Sequence, residues 1–309
     1  MVVASMNRKR KRPLGDPVNG ILLLDKPPGI TSNAALQKAK VLLNARKGGH
    51  TGSLDPIATG LLPLCFGETT KLAGFFLESD KVYWARLQLG QATDTGDCEG
   101  KLLFERPVSH SRELIEKALD RFRGEIEQTP PMYSAVKVKG QPLYRLAREG
   151  KEIVRASRNV IVHRLELLSL HDAQIEIELH CSHGFYVRGL AQDLGEVLGC
   201  GGHVIALRRL SVAGLQVKTA LTFEHLEKLN TPALRRESLL AGDQALSHIP
   251  TVDLSVDAAY YLCRGEPVRA ADLPSTGWVR LYSEDAGFLG VGTVTDDGRV
   301  APRRLVAST

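Results

Sequence analysis

Between Lys81 and Leu89 the chain alternates without a break. Tyr83, Ala85, Leu87 and Leu89 face one way, and Val82, Trp84, Arg86 and Gln88 face the other. Successive side chains of a strand point to opposite faces, so this pattern predicts a half-buried strand. Ile175, Ile177, Leu179 and Cys181 mark another, polar on its other face. Ile21 to Leu24 is a short apolar run ending in Asp25-Lys26-Pro27-Pro28-Gly29, which reads as a strand entering a rigid turn. Helical period appears in Ala35, Leu36, Ala39, Leu42 and Leu43, with Ser32 or Asn33 as the expected cap. It returns in Leu114, Ile115, Ala118, Leu119 and Phe122, and again from Leu190 through Leu194 to Leu198. Strands and helices are mixed without the regular spacing of βαβ units. The fold class is therefore α/β of the α+β kind.

A chain of 309 residues suits one large domain plus a small one. The boundaries read as a basic leader over 1–17, a main domain over 18–249 and a small all-β module over 250–309. The module has short apolar segments broken by Gly265-Glu266-Pro267, Pro274, Gly277 and Asp296-Asp297-Gly298. No stretch approaches the roughly 18 apolar residues of a membrane span. The first residues hold no apolar run before a small-residue cleavage site, so a cytoplasmic protein without a signal peptide is expected. The five cysteines form no Cys-x-x-Cys pair, which points to reduced core thiols and not to a zinc site.

A net charge of +5 is compatible with nucleic acid. The run Arg8-Lys9-Arg10-Lys11-Arg12 is either a solvated tail or an arm for phosphates. Residues 129–151 are polar and broken by Pro130, Pro131, Gly140, Pro142 and Gly150. They carry Tyr133 and Tyr144 among Lys137, Lys139, Arg145 and Arg148. Cations interleaved with aromatics suit RNA, because rings stack on bases for ~1–3 kcal/mol each while cations meet phosphates.

The most unusual segment is Gly48-Gly49-His50-Thr51-Gly52-Ser53-Leu54-Asp55-Pro56-Ile57-Ala58-Thr59-Gly60-Leu61-Leu62. Pro56 disfavours helical geometry at Asp55 and holds it extended. Gly52 and Gly60 let another backbone come close. The result is a stiff loop presenting one carboxylate, unless that carboxylate merely caps a helix starting near Ala58.

This segment closely resembles the catalytic motif of the TruB family, the bacterial tRNA pseudouridine-55 synthases. Further segments resemble the family in order: Leu24-Asp25-Lys26-Pro27-Pro28-Gly29-Ile30-Thr31-Ser32; Lys81-Val82-Tyr83 with Leu89-Gly90-Gln91-Ala92-Thr93-Asp94-Thr95-Gly96-Asp97; Gly184-Phe185-Tyr186-Val187-Arg188; and Gly199 to Leu210. Five motifs in order are specific where one would be weak. Two positions depart from the common pattern, Ser53 where Thr or Ala is usual and Phe185 where Thr is common, and neither removes a chemical role. The resemblance implies a pseudouridine-synthase-type fold, with a mixed, mainly antiparallel sheet, flanking helices and a PUA-like C-terminal domain. It implies that 129–151 is an RNA-binding insertion, and that the partner is tRNA, entered through its T loop and T stem. A monomer is expected, with no membrane partner and no metal.

Pseudouridine formation breaks the N1–C1′ bond and joins C5 to C1′. No atoms enter or leave, so no cofactor is expected. The chemistry needs an ionised carboxylate in a nearly dry pocket, which costs desolvation unless a cation pairs with it. Asp55 is the expected carboxylate and Arg188 its partner, since a guanidinium binds carboxylate bidentately and keeps its charge. Attack at C1′, attack at C6 and promotion of a glycal-forming elimination all use the same group and stay open. Tyr83 is expected to stack on the flipped uracil and take part in proton transfer at C5. Tyr186, two residues before Arg188, would point the same way on an extended strand. Leu207 would give an apolar wall, Lys26 the pocket floor, and Asp97 a hydrogen bond to RNA or within the pocket. The resemblance implies that His50 contacts RNA and fills the space of the flipped nucleotide. A non-catalytic RNA chaperone and a guide-dependent synthase are the alternative readings.

Overall fold

The computed structural model describes residues 15–138, 140–151 and 153–306. The basic run at 8–12, nearly all of the expected leader and Lys139 lie outside them. The alternating strand Lys81–Leu89 sits in the middle of the main sheet. From one edge, the order is Gly20–Lys26, Thr59–Phe66, Gly202–Val212, Lys81–Leu89, Gln174–Cys181, Arg158–His171 and Gly124–Gln128. Neighbours are antiparallel except for Thr59–Phe66 and Gly202–Val212, which are parallel at Arg208↔Thr59 and Arg209↔Gly60.

The two-residue period does the sorting. Tyr83 pairs with Leu179 and Ala85 with Ile177, and all four side chains enter one core. The helices Val187–Leu198 and Arg112–Leu119 close that face with Leu190, Leu194, Ile115 and Leu119. The first two strands are covered on both faces. Leu22, Leu24, Leu62 and Leu64 join the helical core. Ile21, Leu23, Leu61 and Cys65 face a second cluster with Leu72, Phe76 and Val291. That is why these strands read as continuous apolar runs and not as alternation.

Several local expectations change. Thr31, not Ser32 or Asn33, caps the helix Ser32–Leu42 by accepting from Ala34 N. Leu114 lies outside the apolar stripe of its helix and is exposed. Helix Val187–Leu198 begins three residues before Leu190, so Tyr186 and Arg188 do not share an extended strand. No helix starts near Ala58, because strand Thr59–Phe66 begins there. Residues 129–151 hold the strand pair Lys137–Val138 and Gln141–Pro142 and the helix Leu143–Arg148, whose Leu143 and Leu146 are buried.

The C-terminal module is the expected small sheet, Thr251–Leu254, Gly277–Ser283, Gly287–Val294 and Val300–Leu305, with one short helix, Val256–Leu262, packed on it. Phe75 of the main domain meets Trp278 edge-on at 4.7 Å. Among the described residues no helix is long and apolar enough to cross a membrane.

Candidate active site

Asp55 is held from both sides of the chain. Before it, the Ser32 hydroxyl accepts from Leu54 N at 2.7 Å and donates to Leu54 O at 3.1 Å. After it, Pro56 O accepts from Gly29 N at 2.8 Å and from Lys26 Nζ at 3.3 Å. Asp55 O also accepts from Ala58 N, closing a turn with Pro56 inside it. Pro56, the buried Ser32 hydroxyl and the buried Lys26 ammonium thus fix the backbone on both sides of Asp55; of the three, the loop composition pointed to Pro56 alone.

The charges around it are close-set. Arg188 Nε lies 2.9 Å from Asp55 Oδ2, and Arg188 Nη1 lies 3.6 Å from Asp97 Oδ2. The two terminal nitrogens also meet backbone: Nη1 donates to Thr95 O at 3.0 Å and Nη2 to Tyr133 O at 2.6 Å. The pair is therefore single-point and not bidentate. The side chains of Arg188 and Asp97 are each 5% exposed, whereas that of Asp55 is 37% exposed. A guanidinium sealed in the protein faces a carboxylate that opens to solvent. Burial pushes the Asp55 carboxyl above its ordinary value, Arg188 pulls it back down, and the Asp97 charge pushes it up again.

Lys26 is fully buried and donates to Pro27 O, Ile30 O and Pro56 O. Burial pushes its ammonium down to about 8, while the charge of Asp55 opposes the shift. Tyr83 lies 9% exposed in the core beside Arg209. Burial pushes its phenol above the usual value, so it stays protonated at neutral pH. Arg188 thus joins Asp55 and Asp97, and Lys26 and Tyr83 both lie within reach of the Asp55 charge.

Comparison with known families places the chain as a whole. The description "TruB family pseudouridylate synthase (N terminal domain)" matches residues 40–187. "tRNA pseudouridylate synthase B C-terminal domain" matches 188–247, and "Pseudouridine synthase II TruB, C-terminal" matches 250–306. A "tRNA pseudouridine synthase B" of Pseudomonas aeruginosa is 51% identical over 294 residues, covering 94% of this chain and 97% of the relative. One of Nitrosococcus oceani is 50% identical, covering 97% and 99%. The chain belongs to the TruB family. The TruB fold also extends to a solved Cbf5-Nop10-Gar1 complex, with a TM-score of 0.73 at 23% identity over 97% of this chain and 92% of that one.

The other expected residues of this TruB chain are spread around the centre. His50 ends the strand Gly48–His50, with its Nδ1 enclosed and without a hydrogen-bond partner. Burial, and then the charge of Arg209, push its imidazole down, so it is neutral. Leu207 is buried opposite Ala85, on the face that carries Tyr83. Tyr186 is the cap residue of helix Val187–Leu198. Its backbone is clamped by Gln128, which accepts from Tyr186 N at 2.7 Å and donates to Tyr186 O at 2.9 Å, and its ring lies 4.9 Å from the Arg158 guanidinium.

Sequence reasoning missed Arg209, which is 1% exposed and donates to Leu61 O at 2.7 Å while bordering Tyr83 and His50. Its signal was present in the doublet Arg208-Arg209 on a strand. Alternation must turn one inward and one outward, and Arg208 is the outer one, bidentate to Asp25 at 3.1 and 2.6 Å.

Proposed function

We propose that the tRNA pseudouridine synthase activity of the TruB family is carried in this chain by Asp55 as nucleophile and directed to uridine 55 in the T loop of tRNA. The single observation that carries the reading is the contact between Asp55 Oδ2 and Arg188 Nε at 2.9 Å, with Asp55 open to solvent and Arg188 sealed behind it. The enzyme is an isomerase: N1–C1′ breaks, C5–C1′ forms, the C5 proton leaves and N1 gains one.

The target nucleoside has to leave its stack, which costs about a few kcal/mol. It enters with its sugar at Asp55. Arg188 favours the ionised carboxylate without blocking its outer oxygen, because Nη1 and Nη2 donate to Thr95 O and Tyr133 O instead. Tyr83 lies against the uracil ring, and its neutral phenol passes the C5 proton on by relay, the oxygen accepting that proton as its own hydroxyl proton goes to water. Leu207 excludes water beside it, and Lys26 adds positive charge beneath the loop. His50, neutral and short of a partner at Nδ1, meets RNA at the space the base vacates. Tyr186 borders the entrance. The insertion 129–151 and the module from 250 onward present cations to the tRNA phosphates. The protein works as a monomer.

The test is an unmodified tRNA transcript incubated with the purified full chain, without guide RNA or additive, followed by mapping of pseudouridine. One modified position, in the T loop, is expected. Modification elsewhere overturns the site assignment, and none at all overturns the activity.

A further inference from the structure

Asp80, His163 and His180 form a cluster that pseudouridine formation does not use. His180 pairs with Val82, one residue beyond the Leu179↔Tyr83 pair, so it projects from the face opposite the active centre. His163 sits at a bulge: Val162 pairs with Cys181 and Arg164 with His180, which leaves His163 as the extra residue of its strand. Bulges re-aim side chains in this way. Asp80 enters from the turn before the central strand, its carbonyl anchored by Ala213 N at 3.2 Å.

Asp80 Oδ2 lies 3.1 Å from His163 Nε2 and 3.7 Å from His180 Nε2, and all three ligand atoms fall within 4.8 Å of one another. Zinc with arms of about 2.0–2.1 Å in tetrahedral geometry sets neighbouring ligand atoms roughly 3.3 Å apart, so small side-chain movements suffice. The three side chains are between 36% and 49% exposed, which leaves an ion a path in and a position for water. A lone carboxylate between two imidazoles is not a calcium or magnesium donor set, because those ions demand oxygen. The ligands lie 83 and 17 residues apart in the chain, so no spacing rule could have found them.

We propose that Asp80, His163 and His180 bind a divalent ion of the zinc class, clamping the strands Arg158–His171 and Gln174–Cys181 to the turn that leads into Tyr83. The test uses the full chain, freed of metal, titrated with Co²⁺ by visible absorption and with Zn²⁺ by calorimetry. One ion per chain is expected, with the strong visible bands of tetrahedral Co²⁺. His163→Ala, His180→Ala and Asp80→Asn are each expected to weaken binding by about tenfold or more. The double variant Cys98→Ser/Cys263→Ser removes the exposed thiols and is expected to keep full affinity. Zn²⁺ raises the melting temperature of the wild type and not of His180→Ala, by mass action. Absence of binding in the wild type, or unaltered affinity in both histidine variants, overturns the proposal.

Discussion

Arg188 serves two carboxylates and two carbonyl oxygens with one planar fork. Lysine offers a point charge that cannot span them. Arg188→Lys is therefore expected to keep the charge and lose geometry, lowering turnover by on the order of 10²-fold, as for a misplacement of about 1 Å. Steady-state kinetics on a tRNA transcript check this. The pH profile follows from the two shifted groups. In the proposed reading Asp55 must be ionised, and burial raises its carboxyl, so the acid limb of activity is expected at a higher pH than a freely exposed Asp would give. Lys26 is pushed down to about 8, so its charge beneath Asp55 is lost as pH rises through that value, and activity is expected to decline there. Stability moves the other way. Between about 8 and 10.5 the unfolded chain holds the Lys26 proton that the native chain has released, so stability rises with pH in that window. Rate and melting profiles over the same pH series separate the two. At this scale Asp55 and Arg188 were legible, because an Asp-Pro pair among glycines and an arginine in a motif carry a chemical signal. Arg209 was not, because a strand doublet does not say which member turns inward.

The elements that hold the site meet at close quarters. Gly60 has φ +99°, and a Cβ there would lie 2.3 Å from Arg209 O. Gly60→Ala is expected to destabilise the fold by more than about 1 kcal/mol, because both the backbone angle and the parallel contact with strand Gly202–Val212 exclude it; chemical denaturation measures the loss. The strands were legible wherever one face met solvent, since alternation survives there. Tyr186 and Arg188 were placed on a strand because a short polar–apolar stretch before a helix carries the same local pattern. The helix begins after Tyr186, whose carbonyl accepts from Leu190 N at 3.1 Å and whose backbone is clamped by Gln128. Thr31 took the cap from Ser32 for a tertiary reason: Ser32 is buried and committed to Leu54, 22 residues away. Neither contact is written in the local sequence.

At the scale of the whole molecule, the catalytic sheet and the C-terminal module share one apolar seam. Val291 joins the cluster around Phe76, and Lys71 Nζ donates to Leu305 O at 2.9 Å. The module's basic edge, Arg303 and Arg304, lies beside that seam near Trp278. Replacing both arginines with glutamate is expected to weaken tRNA affinity and flatten its salt dependence while leaving the rate at saturation intact. Binding isotherms at several salt concentrations, with single-turnover rates, test it. The cations and rings of 129–151 are what mark it in the sequence as a candidate RNA-facing segment. Its link to the centre, Tyr133 O on Arg188, was not legible there, because it joins residues 55 positions apart in the chain. The most direct measurement compares wild type with Asp55→Asn on tRNA labelled with tritium at uridine C5, at matched occupancy. The account predicts unchanged tRNA binding, no fall in melting temperature, and tritium release slowed by on the order of 10³-fold or more. Release at the wild-type rate from the Asp55→Asn variant would contradict it.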